Sequence, residues 1–227
     1  MLYTRADHPR ATLILAHGSA VAMDHPIMAS LAERLAARGL NVVRFNFPYM
    51  AESVARGTKR PPPAADRLIN PYEEVIAALD QDVCAVPLLV GGKSLGGRVA
   101  SLLAAERTRA IDTTLAGTAR SQFEGPPLRG VICFGYPFHP PRKPEVLRTA
   151  HLASISCPVL IVQGTHDPFG TRDEVATYTL APTVSISWIE TGDHDLKPLK
   201  SSGLSHDEAL DAAADAAATF LPTLPAG

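Results

Sequence analysis

The pattern best suited to chemistry in this chain is Gly92-Lys93-Ser94-Leu95-Gly96, in which glycines lie two positions before and after a serine. An apolar run over residues 88–90 precedes it, and a helical pattern over residues 98–106 follows it. A serine at the apex of such a strand–turn–helix unit needs flanking glycines, because strand and helix pass too closely for larger side chains. The turn lifts the hydroxyl of Ser94 above the sheet edge, where it can act as a nucleophile.

The same five residues permit other interpretations. A glycine-rich turn with Ser94 as the N-cap of the following helix would carry no chemistry. Gly92-Lys93-Ser94 also matches the end of a phosphate-binding P-loop, which requires a glycine five residues before Gly92. Pro87 occupies that position, and the apolar strand leaves no room for a phosphate cradle, so the sequence disfavours a nucleotide site.

A serine hydroxyl needs a general base, and the base needs an acid that orients it. The apolar run over residues 159–162 leads into Asp167, and the run over residues 184–189 leads into His194. Because the carboxyl ends of parallel strands meet at one sheet edge, both side chains should lie where Ser94 emerges. We therefore predict a triad of Ser94, Asp167 and His194, although Asp167 or His194 taken alone could be an ordinary loop residue.

The identity of the orienting acid stays open at this point. Asp193 and Asp195 flank His194 directly, and either could assist Asp167 or replace it. His166 adjoins Asp167 but precedes the last predicted strand, which makes it a weaker candidate for the base.

Two backbone amides are candidates to stabilise a developing oxyanion. The amide of Leu95 begins the helix after the nucleophile, where N–H groups lack intrahelical partners. The turn His17-Gly18-Ser19-Ala20 follows the first long apolar run, and the amide of Ser19 or of Ala20 would supply the second donor. His17 itself is expected to be structural, because a second base is not required.

Composition narrows the class of protein. The 227 residues are 46% hydrophobic, and 21 Lys and Arg against 23 Asp and Glu give a net charge of −2. This balance argues against nucleic-acid binding, and no apolar run approaches the roughly 20 residues of a membrane helix. Three widely spaced cysteines without CxxC spacing indicate reduced thiols, and we expect neither a metal site nor a cofactor. The first ten residues lack the apolar core of a secretory signal, so a cytoplasmic protein is expected.

Short apolar runs alternate with helical patterns along the chain. This alternation predicts an α/β fold, with a mostly parallel, doubly wound sheet of six or more strands and helices on both faces. Six runs are predicted as strands, namely 12–16, 42–45, 88–90, 131–134, 159–162 and 184–189. Three stretches, 47–70, 107–130 and 136–144, are predicted as loops. No linker divides the core, so residues 1–227 are predicted to be a single domain.

The loops bear on the substrate. The segment after residue 134 is too short for a full helical lid, so we expect an open, shallow cleft that accepts short acyl esters or lactones. Lys93, Tyr136 and Phe47 are the candidate substrate contacts. Seven basic residues cluster within or just after two of the predicted loops, 47–70 and 136–144, namely Arg56, Lys59, Arg60, Arg67, Arg142, Lys143 and Arg148. They are either ordinary solvated loop residues or a positive surface that attracts a carboxylate-bearing substrate.

Five spaced segments carry a resemblance to a known family: FNFPY (45–49), GGKSLGGR (91–98), FGYPFHPP (134–141), QGTHDPFG (163–170) and GDHDLKP (192–198). They resemble the α/β-hydrolase superfamily, and more narrowly its small dienelactone-hydrolase-like group. Relatives of that group include a testis-expressed protein and the hydrolase-like core of a subunit of the NSL chromatin acetyltransferase complex. The resemblance implies an α/β-hydrolase fold without a large lid, a Ser94, Asp167 and His194 triad, and Ser19 and Leu95 as oxyanion amides. Dienelactone hydrolases proper have a cysteine nucleophile, whereas position 94 is serine, which weakens dienelactone as the substrate.

The sequence therefore predicts a serine hydrolase that acts on a small ester, thioester or lactone through an acyl-enzyme intermediate. Its expected partner is a small-molecule acyl substrate, with no nucleic acid and no membrane. The alternative is a catalytically weak or inactive protein of the same fold that serves as a binding scaffold. No motif in the sequence indicates the oligomeric state.

Overall fold

The computed structural model describes residues 1–115 and 126–221, which contain one seven-stranded sheet. The strands are β1 (Leu2–Thr4), β2 (Ala11–Ala16), β3 (Leu40–Phe45), β4 (Leu88–Lys93), β5 (Leu128–Phe134), β6 (Val159–Gly164) and β7 (Val184–Ile189). Their order across the sheet is β1-β3-β2-β4-β5-β6-β7. All neighbouring strands are parallel except β1, which pairs antiparallel with β3. The predicted parallel sheet of six or more strands is confirmed, and the sequence did not reveal β1 because a three-residue edge strand shows no periodicity.

Helices cover both faces of this sheet. They are α1 (Pro26–Ala36), α2 (Pro48–Arg56), α3 (Ile69–Ala77), α4 (Leu95–Leu115), α5 (Arg172–Val175) and α6 (His206–Phe220). Leu13 of β2 packs in the cluster that contains α1 and α6, while its neighbour Ile14 packs in the cluster that contains α3 and α4. Since successive strand residues point to opposite faces, a strand between two helix layers must be apolar throughout. All six residues of β2 are accordingly buried.

Two of the three predicted loops contain helix. Within 47–70 lie α2 and the start of α3, because Pro48 occupies the first turn of α2, where a proline needs no backbone donor. Within 107–130, α4 continues to Leu115, and the guanidinium of Arg107 pairs there with the carboxylate of Glu73 on α3. Residues 116–125 of that predicted loop lie outside the described residues. The third predicted loop, 136–144, is irregular as expected.

The segment that joins β5 to β6 contains one short 3₁₀ turn, Ala150–Ala153, and no longer helix. Nothing of the size of a helical lid therefore covers the carboxyl edge of the sheet in this segment. In the described part of the chain, no helix combines the length and the apolar character needed to cross a membrane.

A buried tyrosine joins the two central strands directly behind the expected nucleophile. Tyr72 of α3 is completely buried, and its hydroxyl donates to the carbonyl of Ile14 in β2 at 2.6 Å. The same hydroxyl accepts from the amide of Gly91 in β4 at 3.0 Å. Burial raises the pKa of Tyr72 above its ordinary value, so the hydroxyl keeps the proton that it donates. This one side chain therefore fixes β2 and β4 beside the turn at Ser94.

Replacing Tyr72 with phenylalanine removes the hydroxyl and leaves an amide and a carbonyl without their partner in the core. We expect Tyr72→Phe to lower the free energy of unfolding by about 1–3 kcal/mol, measured by urea denaturation. Tyr178→Phe is the matched control, because Tyr178 is only partly buried and should change stability by less than about 0.5 kcal/mol. Equal stabilities of the two variants would contradict the role assigned to the Tyr72 hydroxyl.

Candidate active site

Ser94 lies between the last residue of β4, Lys93, and the first residue of α4, Leu95. Its backbone is left-handed, with φ at 52°, a conformation that non-glycine residues seldom adopt. Two hydrogen bonds hold the turn, one from the Ser94 amide to the carbonyl of Phe134 at 3.0 Å and one from the Arg98 amide to the carbonyl of Ser94 at 3.1 Å. The surrounding backbone therefore imposes the strained conformation that presents the hydroxyl at the strand end.

The two glycines of the motif lie against backbone atoms. A Cβ on Gly92 would be 2.6 Å from the carbonyl oxygen of Ala16 and 2.5 Å from the carbonyl carbon of Gly96. A Cβ on Gly96 would overlap the carbonyl oxygen of Ala16 and lie 2.7 Å from that of His17. No alanine fits at either position unless β2, β4 and α4 separate, which is the physical reason for the glycine spacing.

The hydroxyl, the imidazole and the carboxylate of the predicted triad form one hydrogen-bonded chain. The Nε2 atom of His194 is 2.8 Å from the Oγ atom of Ser94, and its Nδ1 atom is 2.8 Å from the Oδ2 atom of Asp167. A carboxylate can only accept, so Nδ1 carries the hydrogen and Nε2 is left to accept from the serine hydroxyl. The His194 side chain is 19% exposed, whereas the side chain of Asp167 is completely buried, so the imidazole reaches solvent and the carboxylate does not.

Other donors also hold the carboxylate of Asp167. The side-chain amide of Gln163 donates to its Oδ2 atom at 2.8 Å, and the backbone amide of Phe169 donates to its Oδ1 atom at 2.8 Å. Gln163 is itself buried, and its carbonyl oxygen accepts from the amide of Tyr136 at 2.7 Å. The sequence analysis gave Gln163 no role, although a glutamine at the carboxyl end of an apolar strand was an available signal.

The two aspartates beside His194 have other partners. The carboxylate of Asp193 accepts from the amides of Asp195 and Lys197 at 2.8 and 3.0 Å, and so closes the loop. The carboxylate of Asp195 pairs with the ammonium of Lys93 at 2.5 Å. Burial alone would raise the pKa of Asp195, but the hydrogen bond and charge of Lys93 outweigh it and hold that pKa below its ordinary value. Of these three aspartates, Asp167 is the one in hydrogen-bond contact with the imidazole.

A cavity of about 640 Å³ opens above Ser94 and His194. The turn at residues 18–21 and the proline-containing segment 62–65 form two of its walls. Its other lining residues are Lys93, Leu95, Arg98, Pro137, Arg148, Phe169 and Asp195. This volume lies within the range of small-molecule sites, roughly 300–1,000 Å³.

Comparison with known proteins places the chain in a family. A family model described as an alpha/beta hydrolase domain matches residues 9–222. The chain belongs to the α/β-hydrolase family.

Solved structures share the fold of this hydrolase. A dienelactone hydrolase from Anabaena variabilis is 20% identical, with a TM-score of 0.66 over 99% of this chain and 91% of that chain. An α/β serine hydrolase without a lid from Xanthomonas campestris is 16% identical, with a TM-score of 0.62 over 98% and 86%. An α/β serine hydrolase homologue from Coxiella burnetii is 18% identical, with a TM-score of 0.62 over 85% and 82%. At these identities the likeness shows the fold, and the relation to the testis-expressed and NSL-complex proteins stays a prediction.

In this hydrolase the turn after β2 lies against Ser94. A Cβ on Gly18 would be 3.7 Å from the Cβ atom of Ser94, and both Ser19 and Leu95 line the cavity. The buried ring of His17 contacts the Gly18 carbonyl through Nδ1 at 2.6 Å, and its Nε2 atom accepts from the amide of Phe47 at 3.1 Å. Burial lowers the pKa of His17 despite the bond to Gly18, so the ring is neutral and its role is structural, as expected.

The three candidate substrate contacts have different positions. Lys93 lines the cavity, but its ammonium is paired with Asp195 and lies 3.5 Å from the carbonyl of His194. Phe47 and Tyr136 are completely buried and do not line this cavity. The expectation of direct substrate contact is corrected for these two aromatic residues, because their rings pack in the core behind the site.

A residue not identified from the sequence packs on the imidazole. The centroids of the Phe169 and His194 rings are 4.1 Å apart, and both residues line the cavity. Phe169 also supplies the backbone donor to Asp167, so one residue restrains both groups. The sequence gave no signal for it, because a phenylalanine after a proline turn usually signifies only packing.

The close approach at Gly96 can be tested by a single methyl group. We expect Gly96→Ala to lower the free energy of unfolding by about 3 kcal/mol or more, because its Cβ would displace backbone of β2. Gly18→Ala is the matched control, since its Cβ would meet atoms only at ordinary distances of 3.6 Å or more. Urea denaturation should show near-native stability for Gly18→Ala, and a Gly96→Ala protein of native stability would refute the tight elbow.

Proposed function

We propose that this hydrolase cleaves small esters, thioesters or lactones through a Ser94, His194 and Asp167 triad and an acyl-enzyme intermediate. The observation that carries the proposal is the chain of two 2.8 Å contacts from Ser94 through His194 to the buried carboxylate of Asp167. This geometry joins a nucleophile to its base and the base to an orienting acid.

In the first step, Ser94 Oγ attacks the substrate carbonyl carbon while Nε2 of His194 takes the hydroxyl proton. The positive charge that forms on the imidazole lies against the carboxylate of Asp167, which stabilises it. His194 then returns the proton to the leaving alcohol or thiol, and the acyl group remains bonded to Ser94.

The negative oxygen of the tetrahedral intermediate needs donors that are already in place. Leu95 and Ser19 line the cavity beside Ser94, and their backbone amides are proposed to supply these donors. One such donor is typically worth about 3–4 kcal/mol of barrier. In the second step, His194 takes a proton from water, whose oxygen attacks the acyl carbon, and the acid leaves as Ser94 regains its proton.

The walls of the cavity support a small substrate. The space above Ser94 is about 640 Å³, and the β5–β6 segment contributes no helical lid to cover a long acyl chain. Short acyl groups and small lactones match this volume better than lipid chains do.

Removal of the nucleophile tests the activity itself. We expect Ser94→Ala to lose more than about a thousandfold in kcat with p-nitrophenyl acetate, because within residues 1–115 and 126–221 no other hydroxyl contacts His194. A fluorophosphonate probe should label the native protein at Ser94 and leave Ser94→Ala unlabelled. An unlabelled native protein without esterase activity would instead support the scaffold alternative.

Substitution of the neighbouring aspartates tests the identity of the acid. We expect Asp167→Asn to lower kcat by about 10³–10⁴-fold, because an amide in its place favours the wrong tautomer of His194. Asp195→Asn is the comparison, and since it breaks an ion pair that is exposed on the Asp195 side, we expect a loss of less than about tenfold. Steady-state kinetics on both variants gives the answer, and a larger loss for Asp195→Asn would reassign the acid.

A further inference from the structure

Two arginines, Arg98 and Arg148, line the cavity above Ser94. The guanidinium groups of Arg98 and Arg148 make no ion pair or hydrogen bond with any residue in 1–115 or 126–221. The Nε atom of Arg98 is buried and has no hydrogen-bond partner. A buried donor without an acceptor costs free energy, which an acceptor group on a ligand would recover.

The other lysines and arginines of this region are paired with a carboxylate or are absent from the described lining of the cavity. Lys93 pairs with Asp195, and Arg60 pairs with Glu52. Of the seven basic loop residues noted in the sequence, Arg148 alone is among the described lining residues of the cavity. The chain carries a net charge of −2, yet this cavity is lined by two guanidinium groups that form no ion pair with the residues that the structure describes.

A buried polar network holds the backbone of both arginines. The hydroxyl of Ser101 donates to the carbonyl of Arg98 at 2.9 Å, and the hydroxyl of Tyr136 donates to the carbonyl of Arg148 at 3.0 Å. Both hydroxyls also contact Nε2 of His151, at 2.8 and 3.5 Å. Because Ser101 and Tyr136 are completely buried, helix α4 and the β5–β6 segment are fixed relative to each other at this point.

The electrostatics of this pair favour an anion. Burial and the nearby charge of Arg98 lower the pKa of Arg148, although a guanidinium remains protonated at neutral pH. Burial and Arg98 also lower the pKa of His151 to about 4, so this imidazole is neutral and adds no third charge. The two guanidinium groups repel each other, and no carboxylate of the described residues lies between them to offset that repulsion. A carboxylate supplied by a ligand would pair with both groups.

We infer that Arg98 and Arg148 form a subsite for a carboxylate on the ester substrate. The inference rests on the proposed function, because it concerns what Ser94 acts on. Arg98 follows Ser94 by four residues, its backbone amide donates to the Ser94 carbonyl at 3.1 Å, and Ser94, Arg98 and Arg148 line the same cavity. The carboxylate therefore lies a few bonds from the carbonyl that Ser94 attacks.

The test compares esters that differ in one charged group. Monoethyl adipate and ethyl hexanoate share the same acyl chain length up to the terminal group, and their hydrolysis is followed by proton release. We expect the native protein to show kcat/KM at least about tenfold higher for the anionic ester at low salt, with the difference mainly in KM and reduced at high salt. Equal values for the two esters would overturn the subsite while leaving the proposed function intact.

Variants assign the effect to the arginine pair. Arg148→Gln should lower kcat/KM for monoethyl adipate at least tenfold more than for ethyl hexanoate. Lys143→Gln is the matched control, because Lys143 is an exposed residue of the same segment that does not line the cavity, and it should retain the native preference. A preference that survives in Arg148→Gln, and in Arg98→Gln, would refute the assignment.

A binding measurement separates this inference from catalysis. Calorimetric titration of the Ser94→Ala protein with each ester needs no turnover, and we expect at least tenfold tighter binding of monoethyl adipate. The double variant Ser94→Ala, Arg148→Gln should lose that difference. If the native protein proves inactive but this difference is present, the proposed function fails and the subsite holds, whereas equal affinities refute the subsite.

Discussion

The close approach of β2, β4 and α4 around Ser94 is the constraint on which the rest of the site depends. Glycine at positions 92 and 96 lets the carbonyl of Ala16 lie where a Cβ would otherwise be. That approach places Ser94 in a left-handed conformation and brings the turn after β2 beside it. The proposed nucleophile and the amides proposed to hold the oxyanion are therefore positioned by backbone packing, which side-chain motion cannot relax.

The charged groups of the site fall into two sets, one with hydrogen-bond partners in the protein and one without them among the described residues. Behind the imidazole, the carboxylate of Asp167 is fully buried and accepts from His194, Gln163 and the amide of Phe169. In front of it, Arg98 and Arg148 border the cavity without such compensation. A buried charge with complete hydrogen bonding is stable in the folded protein alone, whereas uncompensated charges at a cavity wall are satisfied by what enters it.

Much of this arrangement could be predicted from the sequence because it follows from strand order. The glycine spacing indicates a tight turn at Ser94, and Asp167 and His194 each follow an apolar run. In a parallel sheet these three residues must lie at the same edge, and the sheet is parallel over the strands concerned. The arginine pair could not be predicted, because Arg148 lies in an irregular segment whose path the sequence does not reveal. That path brings Arg148 to the cavity that Arg98 also lines. Phe47 and Tyr136 were expected in contact with substrate, but a large aromatic near a motif gives no sign of which way its ring points.

The hydrogen bond between Ser94 and His194 joins residues 100 positions apart. Between them the chain must add β5, β6 and β7 to the sheet in register, and the loop-closure entropy of each addition precedes any gain from that contact. Recovery of enzymatic turnover during refolding thus reports completion of the last strand pairings, whereas fluorescence or helicity can recover with collapse alone.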